Sequence, residues 1–223
     1  MALVTPETKL CEVIIDEPSV IPVVNRFDIT LGVGDRSVKA ICHDKGIDTT
    51  FFITILNAFI NESFFPENVL WSFDAKSVVD YLRMTNNSYL RFQLPNIERH
   101  FNALIAHSDS NNNLPLLLNF YKEVRSEIER RIEADHKWFD EIIEAETTRD
   151  ASGISHIDEP DQIEDKLSDL VNMFVIHLRG DYDRNLCHAV LLAVISLEKD
   201  IRQNNRIRNR VLCPLAESLK KHK

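Results

Sequence analysis

Between Leu186 and Leu215 the chain repeats apolar residues at helical spacing: Leu186, Val190, Ala193, Leu197, Ile201, Val211 and Leu215. A stripe with this period commits the segment to an amphipathic helix whose apolar face other elements must cover. Asn204 and Arg208 interrupt the stripe, four residues apart and on the same face. An i,i+4 polar pair inside an apolar stripe is where a helical bundle places ligand pairs such as His-x-x-x-Glu. Here the spacing is kept, but the residues are an amide and a guanidinium.

The rest of the sequence reads as helices separated by clear breaks. Pro18 to Phe27 reads as a short helix, followed by a turn holding Gly32 and Gly34. Ser37 caps a helix that ends near Gly46, and Asp48 opens FFITILNAFI. After Pro66 and Trp71, Asp74 caps a long helix to about Ser108, which Pro95 should kink or split because proline has no N–H to give. A second long helix runs from Pro115 to about Glu146, and residues 147–161 form a polar loop containing Gly153 and Pro160. A third runs from about Asp161 to Arg179, Gly180 breaks it, and the fourth runs from about Asp183 to beyond Leu212. The expected fold is all-α: a small helical module over residues 1–66, then an up-down four-helix bundle over 74–223.

Composition limits the functions open to such a chain. A formal net charge of −9 argues against general nucleic-acid binding, which needs a basic surface to displace counterions. SVKAICHDKGIDTTFFITIL has a helix-turn-helix rhythm, but its second helix opens on Phe51, Phe52 and Ile53, where a DNA reader needs polar residues. Nine acidic residues also outnumber five basic ones over residues 1–66. Cys11, Cys42, Cys187 and Cys213 show no C-x-x-C spacing, so neither a zinc site nor a disulfide framework follows. With no secretion signal at the N-terminus and no apolar run of membrane length, a reduced cytoplasmic setting is expected, with no membrane partner. No nucleophile elbow, Walker loop or H-E-x-x-H motif is present.

Several segments together resemble the RIC family, di-iron proteins implicated in repair of iron centres, which join a ScdA-type N-terminal domain to a hemerythrin-like bundle. The resemblance rests on DEPSVIPVVNRFDITLGVGD and the KGID turn, then on VVDYLRMTNNSYLRFQLP, EADHKWFD and LEKDIRQNNRIRNRVLCP. It implies non-haem di-iron held by histidines and glutamates at defined positions. Counted from Pro95, the first helix's ligand position is Asn87. In the second helix, the His-x-x-x-Glu positions are Arg130 and Ala134; in the fourth they are Asn204 and Arg208. The third helix should offer a histidine around Pro160 to Lys166 and has none, His156 lying just outside. The adjacent cysteines of the family's N-terminal domain are replaced by Gly32-Val33. The chain therefore departs from the family pattern at the residues that carry its chemistry, and neither a metal cofactor nor catalysis is expected.

Arg130 and Arg208 donate hydrogen bonds and stay charged, so they repel a metal where imidazole and carboxylate would hold it. Either acidic neighbours such as Glu133, Asp135 or Asp165 pair with them inside, or their stems pack and their heads reach water. Asn87, Asn204, Arg130 and Arg208 together would suit a small anion. A surviving metal site would need a shifted register that brings Glu133, Asp135 or His136 inward, or a site on His100, which is seven residues from His107. His177 and His188 show no ligand spacing, and His43 and His222 read as solvent-facing. A protein partner or a homodimer is expected, with FFITILNAFI, NESFFPENVLWSF and Trp138-Phe139 supplying apolar surface.

Overall fold

The computed structural model describes residues 3–61, 63–109, 112–155 and 162–221. The protein is all-helical: among the described residues there is no β-strand, and Lys9 and Ser37 form an isolated antiparallel bridge. Two compact units divide the chain, Met1–Met84 with Asn205–Ser218, and Thr85–Asn204 with Leu219–Lys223. Among the described residues no helix is long and apolar enough to cross a membrane.

The first unit begins with α1 (Leu10–Asp16), a 3-10 turn over Pro18–Val20, and α2 (Ile21–Arg26). Then come α3 (Val38–Lys45) and α4 (Thr49–Ile60). Ser37 accepts from Ala40 N–H at 3.3 Å to cap α3, and Gly46 closes it at φ 67°. That left-handed angle is what glycine takes at little cost. Asp48 accepts from Phe51 N–H at 2.7 Å to cap α4. Phe51, Phe52, Ile55, Leu56 and Phe59 are buried, so most of FFITILNAFI is core and offers no free surface. Phe27 meets Phe52 edge-on at 4.9 Å, and the buried Arg26 donates from Nη1 to the Tyr81 hydroxyl at 3.2 Å. Asn57 clamps the N-terminal segment: its Oδ1 accepts from Val4 N–H at 2.8 Å, and its Nδ2 donates to Val4 O at 2.9 Å.

A short α5 (Glu67–Leu70) precedes α6 (Ala75–Ser88), where Asp74 accepts from Ser77 N–H at 2.7 Å. The hydrogen bonds from Ser77 hold the Asp74 carboxyl below its usual range. The expected disturbance at Pro95 takes a specific form. The chain makes a wider π turn over Tyr89–Gln93, with Leu94 N–H bonded to Tyr89 O, before α7 (Leu94–Ala106). The same device recurs over Arg208–Leu212, where Cys213 N–H bonds Arg208 O, just before Pro214 and α11 (Cys213–Lys221). Pro214 has no N–H for the carbonyl of Arg210, four residues back. In its place the Trp71 indole N–H donates to Arg210 O at 3.0 Å. The guanidiniums of Arg206 and Arg210 stack on the Phe65 ring at 4.8 and 4.4 Å, pinning the segment before α5.

In the second unit α7 is followed by α8 (Leu114–Thr148), α9 (Ile163–His177) and α10 (Arg184–Ile207). The second long helix starts at Leu114, one residue before the expected Pro115, and the break expected at Gly180, φ 82°, is present. One apolar core draws on all four helices, through Ile97 and Phe101, Tyr121 and Ile128, Leu167 and Phe174, and Val194 and Leu197. Side-chain pairs give the directions. Glu127 with Lys166, and Asn113 with His177 O at 3.0 Å, run α8 and α9 antiparallel. Glu164 with Arg202 at 3.6 Å does the same for α9 and α10. Gln93 with Asp200 and Tyr89 with Asn204 do so for α10 and the Tyr89–Gln93 turn that leads into α7. Burying an aliphatic core side chain stabilises by about 1.5–3 kcal/mol, so this shared core holds the four helices. His156, Pro160 and Asp161, in the expected polar loop, and His222 lie outside the described residues.

Candidate functional site

Along α10 beyond Leu197, polar residues enter the buried face. Asp200 and Asn204 are one turn apart on α10 and both are buried. The Asn204 Nδ2 donates to the Tyr89 hydroxyl at 2.5 Å, to Asp200 O at 2.9 Å and to Asp200 Oδ1 at 3.1 Å. Asp200 Oδ2 accepts from Gln93 Nε2 at 3.1 Å. A buried carboxylate is tolerated when donors replace its lost water, and here two side-chain amides supply them. The carboxylate also fixes the amide's orientation, since a flipped Asn204 would bring two acceptor oxygens together.

On α8, the inward residues near this level are Arg131 and Asp135, whose Nε and Oδ2 lie 3.9 Å apart with side chains 11% and 3% exposed. Trp138 and Phe139 are buried beyond them, so this pair offers no free surface to a second chain. His136 is half-buried, with its Nε2 buried and without a hydrogen-bond partner. Asn86 Nδ2 and Asn204 Oδ1 are likewise buried without one.

Of the positions singled out by the resemblance, Asn204 is buried in this network. Asn87, Arg130 and Ala134 are exposed, and Arg208, in the first unit, is half-buried with Nη1 donating to Asn209 Oδ1 at 3.0 Å. Arg130 is therefore not the buried guanidinium that internal pairing required; its neighbour Arg131 takes that place, beside Asp135. Glu133, Asp165 and His100 are exposed. Of the residues proposed for a shifted register, Asp135 turns inward fully and His136 in part. Asn87 and Arg130 do not join Asn204 in one cavity, so the anion pocket drawn from the sequence is not assembled by those side chains.

The residues at the implied ligand positions do not fit a di-iron group. Ala134 has no donor atom, the arginines have no lone pair to give, and the Asn204 amide N–H groups are turned to Asp200. Among the described residues, no three His, Cys, Asp or Glu side chains gather to hold a metal ion. The cysteines are free; burial pushes the thiols of Cys42 and Cys187 up, away from reactivity.

Sequence reasoning missed Asp200, Tyr89 and Gln93. Asp200 was within reach, one turn before Asn204 and next to Ile201 in the stripe. Tyr89 and Gln93 sit in the π turn, where counting at 3.6 residues per turn slips.

No family model, curated protein or solved structure matches the chain.

Proposed function

We propose that the chain is a relative of the RIC family whose hemerythrin-like four-helix bundle has given up its di-iron site. It works as a non-catalytic interaction or regulatory module in cytoplasmic stress or redox physiology. The carrying observation is the Asp200–Asn204–Tyr89–Gln93 network, because hydrogen-bond donors occupy a position where the family would direct lone pairs at a metal. Function resides in the site and not in the fold, so the residues outweigh the resemblance. Its partners are proteins, with nucleic acid disfavoured by the net charge of −9. A small anion is the weaker ligand class, because the buried Asp200 carboxylate adjoins Asn204.

The test is metal content by mass spectrometry, on untagged protein as purified and after anaerobic reconstitution with ferrous iron. Trace iron in both samples is the expected result; near two irons per chain would overturn this reading. The second reading, a di-iron protein with an altered ligand set acting in cluster repair or the nitric oxide and oxygen response, draws on one observation: the buried, unpartnered His136 Nε2 beside the buried Asp135. Iron that binds and is lost in His136→Ala would favour it.

A further inference from the structure

α8 ends where Arg149 turns left-handed, φ 59°, and the chain doubles back along the helix it has just left. Local bonds shape the reversal. The Thr148 hydroxyl oxygen accepts from Asp150 N–H at 3.3 Å, and the Asp150 carboxylate accepts from Ser152 N–H at 3.0 Å. They open a 3-10 turn over Ala151–Gly153 that packs on α8. Ala151 and Ile154 are buried, so the returning segment has two small apolar feet. Its far end is held by one group: Ser155 donates twice to Oε2 of Glu141, from its N–H at 2.9 Å and its hydroxyl at 2.6 Å. Between segment and helix lies a cavity of about 260 Å³, lined from α8 by Glu141, Glu144, Ala145 and Thr148 and from the segment by Asp150 and Ser152. A contact that is hollow in the middle has little apolar burial to hold it shut, so the bonds at its edge decide whether it opens.

We propose that residues 150–155 are a strap latched by Glu141: it lies closed on α8 while that carboxylate is ionised, and opens when the charge is lost or is met by a second negative charge at Ser155. A carboxylate oxygen that accepts an N–H and an O–H together makes charge-assisted bonds, which its neutral form does not keep at the same strength. The Ser155 hydroxyl and then its N–H hold the Glu141 carboxyl below its usual range, with burial opposing them. The charged groups around Glu141 are Lys137 on its own helix, Lys220 on α11, and Glu144 and Asp150 at the cavity. The two lysines also favour the ionised form. Because the latched pKa lies below the released one, the latch is at full strength above the released value and is lost as pH falls through the latched one. Opening uncovers Ala145, frees Ala151 and Ile154, and adds the strap to the connection that leads into α9 at Ile163.

The latch does not depend on what the bundle interior holds, so a protein that loads iron leaves it standing. Hydrogen exchange on the full chain, read by mass spectrometry at neutral pH, follows the N–H groups of Ser152, Ile154 and Ser155 directly. They should be protected in the wild type. Glu141→Ala should speed their exchange by about tenfold while the core of α8 keeps its protection, which shows that the fold is intact. Ser155→Asp should open the strap in the same way by setting a like charge against Glu141. With exchange corrected for its intrinsic pH dependence, wild-type protection of the strap should fall between about pH 6 and about pH 3, and Glu141→Ala should show no such fall. A strap that is unprotected in the wild type at neutral pH overturns the proposal, as does one equally protected in Glu141→Ala. A strap that stays closed in Ser155→Asp, or that shows the same acid profile without Glu141, overturns control by charge.

Discussion

Two buried tyrosines, at opposite levels of the second unit, have opposite surroundings. Tyr121 stacks on Phe101 at 5.5 Å and donates its hydroxyl to a helix carbonyl, Leu94 O, at 2.7 Å. Burial pushes its phenol up, so it stays a donor. Tyr89 instead meets the Asn204 amide, which serves the Asp200 carboxylate. The Tyr121 level is held by aromatic and aliphatic burial; the Tyr89 level is held by polar groups that must satisfy one another. Apolar side chains of similar volume would hold the second level at least as well, so its polarity is a specialisation, whether inherited or useful.

The largest expected effect lies at the apolar level. Phe101→Ala, which opens a cavity between Tyr121 and Phe174, should cost about 3–5 kcal/mol in urea unfolding. A cost near zero would mean that this level is not the seat of stability. Next comes Asn204→Leu, which takes a donor from a buried carboxylate and should cost about 1.5–3 kcal/mol. If Asn204→Leu proved harmless, the two levels would not differ in kind.

The smallest effects lie in the first unit and calibrate the others. Trp71→Phe keeps the ring but removes the donor to Arg210 O, and should lower stability by about 1 kcal/mol. No change would mean that the carbonyl orphaned by Pro214 does not need the indole. Asp74→Ala removes a helix cap, again about 1 kcal/mol at neutral pH. Because the folded Asp74 pKa lies below its unfolded value, its stabilisation is present above the unfolded pKa and is lost as pH falls through the folded one. The wild-type and Asp74→Ala unfolding curves should therefore draw closer below about pH 4. A gap that widened with acid would contradict the cap.

Much of the fold was legible because its signals are local. The caps at Ser37, Asp48 and Asp74 and the breaks at Gly46 and Gly180 each follow from one residue's chemistry, and the helical period carried the all-α reading. The α1 helix, seven residues between Pro6 and Pro18, is too short to show a helical period. The candidate site was legible in kind, as a polar interruption of an apolar stripe, but not in register. Asn204 was found because it lies inside a long unbroken stripe. Asn87 was misplaced inward because the count ran back from Pro95 through a π turn that no periodicity shows. On α8, Arg130 and Arg131 are adjacent cations, and only the packing of Ile128 and Ile132 decides that Arg131 sits nearer the interior.

A double-mutant cycle at Asp200 and Asn204, read by urea unfolding, tests the coupling within the polar level most directly. Asp200→Leu and Asn204→Leu should each destabilise, while the double variant should lose less than the sum of the two, because the carboxylate and the amide that serve each other leave together. Additive losses would contradict the account, placing the two side chains in separate roles and reopening the level to a bound ligand.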